Sequence, residues 1–380
     1  MKIALIATEK LPVPAIRGGA IQIYLDAVAV RIAKKHDVTV ISISDPELQD
    51  VEQKNGIKYV RFNKNQYVLS ITNHLKQERY DVVHLCNRPA WIENLKSVAS
   101  NTKFILSVHN EMFALDKISD EYGQKCISAV SQIVTVSDYI GNTITSRFPS
   151  AKNKTQTVYS GVDLETYHPN WTQVGRQARN KVRQELRIQG KKVILFVGRL
   201  SKVKGPHILL QALPEIIEKH PDATMVFIGS KWFGDDEVNN YVKHLYTLGA
   251  MYKGNVIFIK FVKPKDIPNL YAMSDIFVCS SQWQEPLARV HYEAMAAGLP
   301  IITSNRGGNP EVIEEGRNGY VINDFENSHV YAEMINSLLA DSSKRERMGK
   351  YGRVKVERDF GWNQVAENLQ RVYENAHVKV

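Results

Sequence analysis

Cysteine is scarce in this 380-residue chain, and the three present, Cys86, Cys126 and Cys279, are widely spaced and odd in number. That arrangement excludes a disulfide framework and any CxxC metal or redox motif, and a reducing, cytoplasmic setting is the simpler expectation. Long apolar runs are missing too: no stretch approaches the ~20 residues that a membrane span needs. The first apolar run, Ile3 to Thr8, breaks at Glu9 and Lys10, too soon for the core of a signal peptide, so the chain is expected to be soluble and to begin at or near Met1. HExxH and Asp-x-Asp are absent, so no metal site is expected. GxGxxG, the Walker A loop and GxSxG are absent as well, which argues against a dinucleotide cofactor, a P-loop and a hydrolase nucleophile.

What is present is a globular composition, 43% hydrophobic and 23% charged, in a chain long enough for two domains. The net charge of +9 is bunched: residues 171–190 hold Arg176, Arg179, Lys181, Arg183 and Arg187 against Glu185 alone, which is +4 of the total. A solvated helical connector accounts for this as well as a nucleic-acid site does. No RNA-binding or zinc-finger pattern accompanies it, so nucleic acid is not an expected partner. Contact with an anionic membrane surface is compatible with the charge.

Short apolar runs alternate with amphipathic stretches: Lys2 to Thr8, Val38 to Ile43, Val82 to Leu85, Phe104 to Val108, Ile133 to Val136 and Thr157 to Tyr159, with a helical pattern at Ala20 to Lys35. Runs that are continuously apolar suit strands buried on both faces, which means a parallel sheet clothed in helices. After Pro169 and the basic stretch the rhythm restarts with Val193 to Val197, Thr224 to Ile228, Val256 to Ile259, Ile276 to Cys279, Ile301 to Thr303 and Gly319 to Ile322. The expected fold class is α/β, two Rossmann-like doubly wound domains over residues 1–170 and 191–359, with 171–190 as the connector and an amphipathic helix at 360–376. Open sheets of this kind bind ligands beyond the carboxyl ends of their strands, so the ligand is expected in a cleft between the domains.

Four segments carry candidate chemistry. Val193–Val197 runs into Gly198, Arg199, Lys202 and Lys204, with a helix expected from Pro206; the fork of Arg199 and the point charge of Lys204 could embrace a diphosphate, or both could be solvated loop cations. In Ser280–Pro300, Glu285 is expected to precede a helix starting near Pro286, which places Glu293 up to roughly 12 Å further along the axis. That exceeds the ~5 to 9.5 Å of glycosidase carboxylate pairs, so a hydrolytic pair is rejected in favour of two carboxylates holding hydroxyls at opposite ends of an extended ligand. Ser304–Ile313 contains Gly307-Gly308 and a helix start near Pro310 that could receive phosphate oxygens, and Gly18-Gly19 after the first strand makes a second anion-friendly entrance. His84 and His109 each end a strand, where a neutral imidazole could face the cleft, although a lone histidine is more often structural. His291 and Tyr292 could line a wall or merely pack.

Taken together, Arg199 and Lys204 (R-x4-K), Glu285 and Glu293 (E-x7-E), Gly18-Gly19 and Ser160-Gly-Val-Asp163 resemble the retaining GT-B glycosyltransferases of family 4 over essentially the whole chain. Segments Gly198–Leu210, Lys231–Gly234 and Trp283–Pro300 are more similar still to glycosyltransferase-like proteins associated with the spore coat of endospore formers. The resemblance implies a GT-B fold in which residues 360–376 cross back onto the N-terminal domain. It implies a nucleotide-diphosphate sugar, UDP-linked, as co-substrate, with no further cofactor and no metal. The acceptor, a glycan, small molecule, lipid or coat component, would be received by the N-terminal domain.

By the same resemblance, Arg199 and Lys204 grip the diphosphate, Glu293 binds the ribose, and Glu285 holds the hydroxyls of the transferred sugar. Backbone groups of Leu287, Ala288 and Arg289 reach sugar and phosphate, Val262 marks the base, Gly18 and Gly19 approach the phosphate, and His109 contacts the donor sugar. The reaction implied is front-face retention without an enzyme nucleophile. One departure stands out: Glu285 is followed by Pro-Leu-Ala-Arg where the family is glycine-rich, so Pro286 removes a donor and Ala288 crowds the backbone. Two rivals to transfer are a catalytically silent scaffold of the spore coat and a nucleotide-sugar epimerase on the same architecture.

Overall fold

The structure, a computed structural model, describes residues 1–229, 238–260, 262 and 264–378. The segment Lys231–Gly234 lies outside the described residues. The chain divides into two compact units, one formed by Met1–Gly161 together with the segment from Trp362 on, the other by Val162–Gly361.

The first unit is built on a sheet of β1 (Lys2–Ile6), β2 (Asp37–Ile43), β3 (Val51–Lys54), β4 (Ile57–Phe62), β5 (Val82–Cys86), β6 (Lys103–Val108), β7 (Gln132–Thr135) and β8 (Thr155–Thr157), in the spatial order β3-β4-β2-β1-β5-β6-β7-β8. Every described pairing is parallel except the β3–β4 edge, which is antiparallel. The continuous apolar runs are buried on both faces: Ala4 and Ile6 of β1 join one core layer, and Ile3 and Leu5 join the other. That second layer is closed by the helix Ala20–Ile32, through Tyr24, Leu25 and Val28, and by the helix Trp362–Val378, through Val365, Leu369, Val372 and Tyr373. The β3–β4 pair was not foreseen. Its signal was Asn55-Gly56, both with positive φ (53° and 76°), a two-residue hairpin turn of the kind that dipeptide favours.

The second unit carries β9 (Lys192–Val197), β10 (Ala223–Ile228), β11 (Val256–Ile259), β12 (Ile276–Cys279), β13 (Ile301–Ser304) and β14 (Gly319–Ile322), all parallel, in the order β11-β10-β9-β12-β13-β14. The basic stretch 171–190 is part of this unit and not a solvated connector. It forms the helix Gln173–Glu185, in which Arg179 and Arg183 both donate to the carboxylate of Asp275, at 2.6 and 2.8 Å. Arg183 is buried and also donates to the carbonyls of Met273 and Lys191, so two of the five cations are engaged inside the unit while Arg176, Lys181 and Arg187 are exposed. Among the described residues, no helix is long and apolar enough to cross a membrane.

Candidate active site

In each sheet two neighbouring strands send the chain off in opposite directions: β1 leads toward β2 while β5 leads toward β6, and β9 leads toward β10 while β12 leads toward β13. Open α/β sheets place ligands beyond the carboxyl ends of strands at such a switch point. In the second unit that place is occupied by the loops after β9 and β12.

Beyond β9 the chain passes half-buried Gly198 and Arg199, makes a 3-10 turn at Lys202–Lys204, and enters the helix Pro206–Lys219 through Gly205. Gly205 has φ 70°, and a Cβ there would collide with the carbonyl of Ser280. Ser280, buried at the end of β12, places its hydroxyl 3.2 and 3.0 Å from the carbonyls of Lys204 and Gly205, so the turn is stitched to the neighbouring strand end. The Lys204 ammonium donates to Glu285 Oε1, and the Ser281 hydroxyl donates to the same oxygen at 2.6 Å. The Glu285 side chain is only 5% exposed, a burial that an isolated carboxylate would resist and a paired, hydrogen-bonded one tolerates. Trp283 lies alongside, its ring centre 5.5 Å from the Lys204 nitrogen.

The loop bearing Glu285 is not helical. The helix expected from Pro286 begins only at Val290 and ends at Ala296, so the spacing of Glu285 and Glu293 is not a helical rise. The loop is held instead by the turn after β13. Gly308 N donates to Glu285 O at 2.8 Å, Gly307 N to the Gln284 side chain at 2.6 Å, and Ala288 N to Oδ1 of the fully buried Asn309 at 3.1 Å. Gly307 has φ 58°, and a Cβ on it would overlap the backbone of Glu285. This corrects the expectation for Ser304–Ile313: it opens no α-helix, only a 3-10 turn at Asn309–Val312, and the N–H groups of Gly307 and Gly308 are taken up by the Glu285 loop rather than free for phosphate. Gly307 and Asn309 hold the Glu285 loop in place, a role that sequence reasoning missed.

Glu293 accepts a hydrogen bond from Tyr271 OH at 2.8 Å, with the Arg289 guanidinium 3.8 Å from its other oxygen. Burial drives the Tyr271 hydroxyl well above its ordinary pKa, with the Glu293 charge adding to the effect, so it stays a donor. His291 is buried between the Ala288 carbonyl and the Thr303 hydroxyl, 2.8 Å from each, and burial lowers its pKa to about 4. Tyr292 packs on Phe360 with ring centres 5.0 Å apart, so both residues pack rather than line a wall. Leu287 and Val262 are half-buried.

In the first unit Gly19, φ 94°, precedes the helix Ala20–Ile32, and no side chain caps that helix start. Gly18, φ 76°, has open space where a Cβ would stand. His109 follows β6, donates its backbone N–H to Asn87 Oδ1 at 2.9 Å, and sets its ring edge-on to Tyr24. Burial lowers its pKa to about 4, so the ring is neutral near pH 7, and its buried Nε2 has no partner among the described residues. His84 is different: fully buried, it is bonded to Tyr373 OH at 2.6 Å and to the Ser107 hydroxyl, a structural bolt to the C-terminal helix.

Solved structures share this fold: the chain superposes on HepE of Anabaena in complex with UDP with a TM-score of 0.80 at 21% identity, covering 98% of this chain and 99% of that one. It superposes equally on sucrose-phosphate synthase of Thermosynechococcus elongatus, TM-score 0.80 at 19% identity over 98% of each chain. The fold class is therefore GT-B, with two Rossmann-like units. Within it, residues 178–355 match the glycosyl transferases group 1 and residues 18–166 match glycosyltransferase family 4. The chain is 71% identical to spore coat protein SA of Bacillus subtilis over 98% of its length and 99% of the relative's, and 45% identical to the glycosyltransferase-named YtcC of the same organism over 99% and 92%. The chain belongs to this glycosyltransferase family.

Proposed function

We propose that the chain is a retaining glycosyltransferase that takes a sugar from a UDP-linked donor without a metal ion, and that it works in association with a spore coat. The observation that carries the reading is the convergence of Lys204, Ser281 and Glu285 at the switch point of the second unit, with Arg199 on the same strand end. Arg199 and Lys204 would neutralise the diphosphate as the glycosidic C–O bond breaks, which is the work a metal does elsewhere. Glu285, positioned by Ser281 and by the Gly307–Asn309 turn, would hold hydroxyls of the transferred sugar, and Glu293, oriented by Tyr271, those of the ribose. Backbone groups of Leu287 to Arg289 and of Val262 would complete the donor site, and Gly18, Gly19 and the neutral His109 would meet the donor from the first unit. With no side chain assigned as nucleophile, the departing phosphate would take the acceptor's proton on the face from which it leaves.

UDP and UDP-glucose complexes of HepE support the choice of base, and the relative named for the spore coat supports the setting. That same name favours a second reading, a coat scaffold of GT-B fold without turnover. Calorimetric titration with UDP, GDP and ADP, with and without EDTA, followed by an assay of UDP release from UDP-sugars, separates the two. Chelator-insensitive binding of UDP, abolished by Arg199→Ala, is the expected result; silence with all three nucleotides would leave the scaffold.

A further inference from the structure

The chain enters the second unit at Val162, and the segment that follows packs on the end of the helix Val290–Ala296, which bears Glu293. Gly298, just past that helix, has φ 73°, and a Cβ there would collide with the ring of Trp171. Arg353, on the helix Ser342–Asp359, ties segment and helix together. Its Nη1 donates to the Ala296 carbonyl at 2.6 Å, on the last residue of the Glu293 helix, and to the Tyr167 carbonyl at 2.7 Å. Its Nη2 donates to Leu164 O at 3.3 Å and its Nε to Glu357 at 2.5 Å, so the planar fork is held from both ends. An arginine on the last carbonyls of a helix satisfies groups that have no partner within it; here the same guanidinium also fixes the entering segment.

Tyr167, presented by that clamp and buried, sets its ring edge-on to Tyr271, with centres 5.6 Å apart. Tyr271 is fully buried, meets Phe277 with ring centres 5.9 Å apart, and donates to Glu293 at 2.8 Å. A phenol that must reach one carboxylate oxygen is aimed by whatever packs on its ring, and an edge-on aromatic neighbour fixes that direction. Burial raises the hydroxyl pKa of Tyr167 and of Tyr271 well above the ordinary value, and the Glu293 charge adds to the effect in each. Both phenols therefore stay protonated within the field of the same carboxylate.

We infer that Tyr167, clamped by Arg353, is a positioning residue for nucleotide binding: its ring backs Tyr271, which holds Glu293 toward the ribose; the inference rests on the donor reading above. The entering segment and the nucleotide site are then coupled, and the coupling runs both ways. A nucleotide that fixes Glu293 also fixes Tyr271 and Tyr167, and so stiffens residues 162–171.

The test is a double-mutant cycle on the full chain, read by calorimetry with whichever of UDP, GDP and ADP the wild type binds. Tyr167→Leu should raise the nucleotide Kd about three- to tenfold, the worth of an aromatic pair, and Tyr167→Phe, which keeps the ring, should stay within about twofold. Added to Tyr271→Phe, Tyr167→Leu should change Kd by less than about twofold, because the hydroxyl it aims is already gone. A Kd unmoved by Tyr167→Leu, effects that multiply in full, or a Tyr167→Phe as impaired as Tyr167→Leu would each overturn the assignment. Amide hydrogen exchange on the unaltered chain decides the matter even where Tyr167→Leu does not fold: saturating nucleotide should slow exchange across 162–171, and slowing around Glu293 with none across 162–171 would overturn the coupling. A wild type that binds none of the three nucleotides removes the donor reading and this inference with it, whereas one that binds and fails the cycle removes this inference alone.

Discussion

Replacing Gly307 by alanine tests whether the turn after β13 sets the position of Glu285. At φ 58° a side chain costs about 1–2 kcal/mol in backbone strain alone. The added Cβ would overlap the Glu285 backbone, so the turn must also move, putting at risk the bonds from Gly307 N to Gln284 and from Gly308 N to Glu285 O, worth about 1 kcal/mol each. The expected loss is about 3–4 kcal/mol. Gly316 is the internal control: it lies in the same unit at φ 74° with open space around its Cβ, so Gly316→Ala carries only the strain of about 1–2 kcal/mol. For a unit of this size the melting midpoints should fall by about 10 °C and about 4 °C respectively in scanning calorimetry. Initial rates of UDP release from a UDP-sugar should separate the two further, because misplacing a substrate-holding group by ~1 Å costs on the order of a hundredfold. If Gly307→Ala lowers the midpoint no more than Gly316→Ala and turns over normally, the turn does not position Glu285.

Asp275→Asn should destabilise the second unit by about 3–5 kcal/mol, because it leaves the guanidinium groups of Arg179 and Arg183 without their counter-charge, whereas Lys181→Ala on the 77% exposed face of the same helix should change the midpoint by almost nothing. Tyr271→Phe should raise the nucleotide Kd about five- to tenfold by leaving Glu293 without its donor, with kcat little changed, as read by calorimetry and steady-state rates. Burial lowers the pKa of His84 to about 3 and of His109 and His291 to about 4, so between pH 6.5 and about 4 the unfolded chain binds protons that the folded one refuses. Stability from these groups is complete above pH 6.5 and is lost as pH falls, at about 1.4 kcal/mol per pH unit for each histidine. Melting midpoints at pH 7, 6 and 5 that stay level would contradict their burial as neutral rings.

The strands were legible because a doubly covered sheet demands continuous apolar runs, and Val193–Val197 or Phe104–Val108 admit little else. The edge hairpin β3–β4 escaped because β3 is short, mostly polar and exposed and β4 mixes apolar with basic residues, although Asn55-Gly56 announced its turn. In the candidate site Lys204 and Glu285, which the structure brings together, could both be named from the sequence because each closely follows a strand end. Their supports could not: Ser280, Ser281 and Asn309 are ordinary residue types whose roles arise only when β12 and β13 lie side by side. The start of the helix after Glu285 was misplaced because Pro286 suits a helix start, while the clamp from Gly307, Gly308 and Asn309 holds 285–289 out of helical geometry. The bunched arginines of 171–190 misled in the opposite sense, since charge that reads as solvated can be drawn inside by a single aspartate.

The last helix completes the first unit's core, yet it is translated after the whole of Val162–Gly361. At roughly 5–20 residues per second, a ribosome leaves the Tyr24–Leu25–Val28 layer without Leu369, Val372 and Tyr373 for on the order of ten to forty seconds, with His84 lacking its Tyr373 partner. The earliest-made half of the chain is therefore the last to mature. During biogenesis its open apolar face is a natural client for chaperones, and a ribosome stall or premature stop just before Trp362 would injure the unit made first while leaving the later one whole.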